Sequence, residues 1–159
     1  MKLKTIDGYH IIYRDFVGFN ETAAKDCVDF LKNNPDCAVV APLVKDKTDN
    51  VLDNYRTFPT LIDFVIKNAS WLRRRFASRM RRFLMWDMRM DKVSTVDFVT
   101  SDFMCVRPDL LENFGRDRIT EDFFDLKLCL LAWSQNCSVM FVPSIQLQSK
   151  MDRPRRGVF

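Results

Sequence analysis

Ala38-Val39-Val40-Ala41-Pro42-Leu43-Val44 decides the fold. Seven apolar residues in succession leave no polar face, so a strand built from them must be covered on both sides. Immediately upstream, Asn33-Asn34-Pro35 stops a helix predicted over residues 22–33. Thr22 is placed to cap it, and Ala23, Cys27, Phe30 and Leu31 fall on one face. Further back, Tyr9-His10-Ile11-Ile12-Tyr13 reads as a strand that ends in the polar pair Arg14-Asp15. Strand, helix and strand joined by short links predict parallel pairing across a right-handed crossover, and hence an α/β layered domain.

Downstream, residues 45–50 form a polar turn, and Phe58-Pro59-Thr60 opens a helix over residues 61–66. A second helical stretch follows over residues 71–86, with Leu72, Phe76, Met80 and Phe83 in one stripe and arginines opposite. Residues 96–99 and 103–106 are candidate strands, and Pro108 opens a helical turn that ends before Gly115. A helix over about residues 122–134 and a strand over residues 138–142, closed by Pro143, complete a single domain of residues 1–150. Residues 151–159 form a basic tail expected to be mobile.

The chain has 159 residues, 47% of them hydrophobic, which suffices for one core and excludes a disordered or disulfide-stapled chain. Its apolar runs fall short of the ~20 residues that cross a bilayer, and no signal-peptide pattern opens it. A location on the cytoplasmic side, at the inner face of the membrane if the basic segment binds it, is therefore expected. Cys27, Cys37, Cys105, Cys129 and Cys137 include no CxxC pair, and His10 is the only histidine. Reduced thiols packed as small hydrophobes fit better than a zinc site.

Charge is concentrated in two places. Between Lys67 and Arg89 stand eight basic residues and one acid, Asp87, interleaved with Trp71, Phe76, Phe83 and Trp86. Such a helix either lays its stripe on the core with solvated arginines, or sits in the headgroups of an anionic membrane through Trp71, Arg74, Arg75, Arg81 and Arg82. Each basic residue near such a surface contributes about 1 kcal/mol. The formal charge of +4 is modest for a phosphate-tracking protein, which argues against nucleic acid as partner. The second cluster is acidic: Glu121, Asp122 and Asp125 fall within one turn at a helix start. There they read either as an N-terminal cap, made by Thr120 or Asp122, or as a general base.

In their order, several segments resemble the bacterial family 2 glycosyltransferases of the rhamnosyltransferase-like branch. These are Phe58-Pro59-Thr60-Leu61, Arg82-Phe83-Leu84-Met85-Trp86-Asp87, Val96-Asp97-Phe98-Val99-Thr100, Phe124-Asp125-Leu126-Lys127-Leu128-Cys129 and Val139-Met140-Phe141-Val142-Pro143. Residues 24–42 are similar to that branch's "F-L-x-x-N-P-x-x-A-V-V-G-P" helix and strand. The likeness spans about residues 9–158.

It implies a partial GT-A (Rossmann-like) layered sheet, the acceptor-side portion of the enzyme, without the nucleotide-binding half that precedes it in family members. It also implies an inverting transfer from a nucleotide sugar to a cell-surface polysaccharide or lipid-linked acceptor. The base would be Asp125 in an ungapped reading, or Glu121-Asp122 after a three-residue shift. Asp15 would be what remains of a site for Mg or Mn, and Arg153, Arg155 and Arg156 would lie near the phosphates. The alternative is a non-catalytic, membrane- or enzyme-associated relative that has lost donor binding. A sheet cut beside its first strand would also expose an edge, so self-association as a homo-oligomer is expected.

Overall fold

The computed structural model describes residues 1–52, 54–58, 78, 85 and 91–150. A hairpin of β1 (Lys2–Ile6) and β2 (Tyr9–Tyr13) leads to helix α1 (Glu21–Asn33), then β3 (Cys37–Lys45). Short strands β4 (Val51–Leu52), β5 (Tyr55–Arg56), β6 (Ser94–Thr95) and β7 (Phe98–Val99) precede β8 (Phe103–Val106). Helix α2 (Pro108–Phe114), a 3-10 turn (Arg116–Thr120), helix α3 (Phe124–Ser134) and β9 (Ser138–Gln148) follow. The main sheet runs β1-β2-β8-β3-β9-β6 with β4 beside β3, while β5 and β7 pair separately.

The α/β class holds, but the expected parallel pairing of β2 with β3 does not. β3 runs parallel to β9, whereas β8 lies antiparallel between β2 and β3. Two strands joined by a helix need only point the same way, and the gap between them can admit a third. β2, β3 and β9 thus end at one edge, where β8 begins.

Side chains alternate across this sheet with the pleat. Ile12, Val39, Ala41, Met104, Val106 and Phe141 face α2 and α3. Ile11, Tyr13, Val40, Val44, Phe103 and Cys105 face α1. Full burial of each large apolar side chain stabilises the fold by about 1.5–3 kcal/mol. β9 continues past Pro143, which was expected to close it. The register with β3 slips between Pro42 and Leu43, so a bulge absorbs the missing proline N–H and pairing resumes at Gln146.

Local capping departs from the sequence pattern twice. Asn20, not Thr22, caps α1, its Oδ1 accepting from the Ala23 N–H at 3.1 Å. α3 begins at Phe124 with neither Thr120 nor Asp122 as cap. Its N-cap residue is Phe123, which makes no side-chain bond and holds a left-handed φ of 58°. The turn at residues 45–50 is as expected: Asp46 Oδ1 accepts from the N–H groups of Thr48 and Asn50.

His10 is buried on β2 between Thr5 and Arg116. Arg116 Nη2 lies 3.1 Å from Nε2, and a guanidinium only donates, so Nε2 accepts and the ring proton sits on Nδ1, toward Thr5 Oγ1. Burial first, and then the Arg116 charge, push the histidine pKa below 6.5, with Glu112 opposing. The unfolded chain therefore takes up the proton first as pH falls. This contribution to stability is complete above pH 6.5, is lost as pH drops below that value and levels off below the folded pKa. Urea midpoints at pH 7.5 and 5.5 are expected to differ more for the wild type than for His10→Gln.

All five cysteines are free and buried. Burial raises the Cys37 thiol to about 11 and Cys129 to about 12, and raises Cys27 and Cys105 as well. Thiol titration with an aromatic disulfide should label none of them in the native protein and all five in denaturant.

Candidate functional site

Ligands of open α/β sheets gather outside the carboxyl ends of the strands. In this chain that edge carries Arg14 and Asp15 after β2, Ser149 and Lys150 after β9, and the Thr100-Ser101-Asp102 turn before β8. The start of α3 meets them there.

Asp125 is the acid that the fold draws into this edge. Its Oδ2 accepts from the buried Ser101 N–H at 3.1 Å, and its Oδ1 from the Leu126 N–H at 2.9 Å. Each oxygen keeps a lone pair for a further donor. Ser101 Oγ in turn accepts from Arg14 Nε and Nη2 at 3.3 and 3.2 Å. Arg14 Nε also lies 3.5 Å from Asp102 Oδ1, while its backbone N–H donates to the Asp102 carbonyl at 3.1 Å. A carboxylate, a hydroxyl and a half-exposed guanidinium are thus tied together from α3, the β7–β8 turn and β2.

The other two acids of the cluster behave differently. Glu121 is clasped by Arg118 Nε at 2.9 Å and Lys127 Nζ at 2.8 Å. Its bond from Arg118, then that from Lys127, hold it down to about 2, where a carboxylate is a poor proton acceptor. Asp122 is exposed ahead of the helix. The left-handed Phe123 turns the chain between them and Asp125, so the three do not share a face.

Asp15 lies on the turn after β2, its Oδ1 2.7 Å from Lys2 Nζ. The hydrogen bond from Lys2 keeps it below the usual carboxylate range. Among the described residues no three His, Cys, Asp or Glu side chains are gathered in one place. A divalent ion of the magnesium or manganese kind needs several oxygen ligands. The donor set at Asp15, one carboxylate already neutralised by an ammonium group, does not fit such an ion. Arg153, Arg155 and Arg156 lie outside the described residues, as do Trp71, Arg74, Arg75, Arg81 and Arg82.

Arg14 and Ser101 were not singled out as site residues from the sequence. Arg14 carried a signal, a charge directly after an apolar strand. Ser101 acts through its backbone N–H toward Asp125 and its hydroxyl toward Arg14, and a lone turn serine signals neither in the sequence.

No protein-family model matches the chain, and no curated protein matches it.

The anchoring of Asp125 has a measurable side. Asp125→Ala leaves the buried Ser101 N–H without its acceptor, and should destabilise the fold by about 1–3 kcal/mol in urea denaturation. Asp122→Ala, on an exposed residue, should leave the midpoint unchanged.

Proposed function

We propose that the chain is the acceptor-side part of an inverting glycosyltransferase in which Asp125 is the general base. One observation carries this reading. The Asp125 carboxylate is held by the Ser101 N–H at the edge where β2, β3 and β9 end, beside Arg14.

A base must be fixed, ionised and within reach of a proton. Two backbone N–H groups fix Asp125 and leave oxygen lone pairs for the hydroxyl of an acceptor. In the transfer, that O–H donates to the carboxylate while its oxygen attacks the anomeric carbon and the bond to the diphosphate breaks. Negative charge grows on the departing phosphate, where guanidinium groups are stabilising. Arg14 is at this edge, and the resemblance adds Arg153, Arg155 and Arg156, which follow Lys150 in sequence. The base and ribose of the nucleotide sugar would be held by a donor-binding half outside these 159 residues, on a longer or a partner chain, and its diphosphate at this edge.

Among the described residues no helix is long and apolar enough to cross a membrane. Contact with an anionic membrane is proposed from the sequence pattern of the basic aromatic segment that contains Trp71, Arg74, Arg75, Arg81 and Arg82. Self-association is proposed through β1, which lies at the end of the strand order, or through α3, where Leu130 and the preceding Phe123 are exposed.

A second reading, a non-catalytic module that has lost donor binding, is favoured by the Lys2–Asp15 pair where family members hold a metal. Calorimetric titration with common nucleotide sugars, with and without manganese, separates the two. Heat is expected with at least one donor, and its absence with all of them favours the module. In a transfer assay with a bound donor, Asp125→Asn should lower the rate by about 10²–10⁴-fold, whereas Asp122→Asn and Glu121→Gln should not. An Asp125→Asn protein as active as the wild type removes this assignment.

A further inference from the structure

A neutral imidazole holds the 3-10 turn against the sheet. His10 is fully buried on β2, opposite Thr5 of β1 and Val106 of β8. Its Nε2 accepts from Arg116 Nη2 at 3.1 Å, and its Nδ1–H points to Thr5 Oγ1 at 3.1 Å. Only the neutral ring can serve both partners. An imidazolium carries a proton on each nitrogen and accepts no bond.

The charged groups that act on the ring are Arg116 from the 3-10 turn and Glu112 from α2. On β1 the nearest cation, Lys4, is turned to the opposite face of the sheet, 3.8 Å over the Phe19 ring. Beyond Val106, the Arg107 guanidinium is held by both carboxylate oxygens of Asp109 at 2.7 and 2.6 Å. A second proton on His10 would therefore stand directly against the Arg116 guanidinium. Glu112 Oε1 lies 3.7 Å from Arg116 Nη2, so two cations would compete for one exposed carboxylate.

Burial decides which side yields. β2 is paired on both edges, and its Ile11 and Ile12 belong to the two core layers. The 3-10 turn has no buried residue, and the Arg116 side chain is 56% exposed. Releasing the turn uncovers little apolar surface, whereas moving β2 would break two ladders and open both layers. Once the guanidinium swings out, water reaches Nε2 and solvates the charged ring.

We propose that His10 and Arg116 form a pH-operated latch, in which protonation of the imidazole expels the guanidinium toward Glu112 and frees the Arg116–Thr120 turn while the sheet stays folded. The turn leads into Glu121 and the start of α3, so the latch governs the approach to that helix. It rests on the contacts of His10 and stands apart from the transfer reading. The sign follows from linkage. Burial and Arg116 keep the closed ring below 6.5, and the freed ring returns to about that value. The open form thus binds the proton better, and release grows by up to about tenfold between pH 7.5 and 5.5.

The test is NMR of the full chain at these two pH values. His10 is the only histidine, so its ring nitrogen signals are unambiguous. At pH 7.5 a neutral ring protonated on Nδ1 is expected. The Arg118 and Glu121 amides donate within the turn, to the Gly115 and Arg118 carbonyls. Their hydrogen-exchange protection should fall about three- to tenfold at pH 5.5, with Ile12 and Val40 in the sheet unchanged. The Ile119 methyl signals, which report the packing of the turn on the core, should shift with the same midpoint as the ring. Glu121, held at about 2, stays ionised throughout and cannot be the source of the response.

His10→Gln should abolish the response. Arg116→Ala, a change at the surface that spares the core, should show at pH 7.5 the loosened turn that the wild type shows at pH 5.5. A turn equally protected at both pH values, with Ile119 methyls that ignore the titration of the ring, overturns the latch. So does a His10→Gln protein that keeps the response, or an Arg116→Ala turn as protected as the wild type at pH 7.5. Protection lost evenly from turn and sheet overturns it as well, since that is global unfolding.

Discussion

The bond from the Ser101 N–H to Asp125 is the contact on which the polar edge of this molecule depends. Ser101 is buried, so its N–H cannot turn to water and must find an acceptor within the fold. α3 has no capping side chain of its own. Its first turn is held by this bond on one side and by the burial of Phe124, Leu128, Cys129 and Ala132 on the other. The same serine then orients Arg14 through its hydroxyl. One short turn between β7 and β8 therefore sets both a carboxylate and a guanidinium.

The sheet explains why chemistry is confined to that edge. Its central strands are apolar on both faces, with α1 below and α2 and α3 above. A charged side chain on either face would lose its hydration without recompense. Polar groups accumulate where pairing ends and water returns, after β2 and β9 and before β8. His10 is the exception within β2, its charged form disfavoured first by burial and then by the Arg116 charge, with hydrogen-bond partners in Thr5 and Arg116.

Much of this was legible in the sequence, and particular residues show where legibility stopped. The unbroken apolar run in β3, the amphipathic α1 and the Pro108 start of α2 were read correctly, because each follows from a local period or a proline. The start of α3 was misplaced because Thr120 and Asp122 have the chemistry of caps, yet Phe123 bends the chain before either can serve. β9 was cut short at Pro143 because a proline lacks the N–H a strand needs, and only the bulge shows how pairing resumes. β1 carries an alternation too weak to be noticed and owes its existence to pairing with β2.

The acids Glu121, Asp122 and Asp125 were equally plausible bases by composition. Helix phase and a single left-handed residue gave them three different environments, which no count of spacings supplies. From the order of its residues alone, this chain specified a layered α/β core, its buried thiols and a helix following the acidic stretch, since those depend on polarity and period. The insertion of β8 between β2 and β3, and the anchoring of Asp125 and Arg14 at Ser101, were decided by the tertiary structure. Each joins residues far apart in the chain, and only the closing of the sheet brings them within the few ångströms over which hydrogen bonds and charges act.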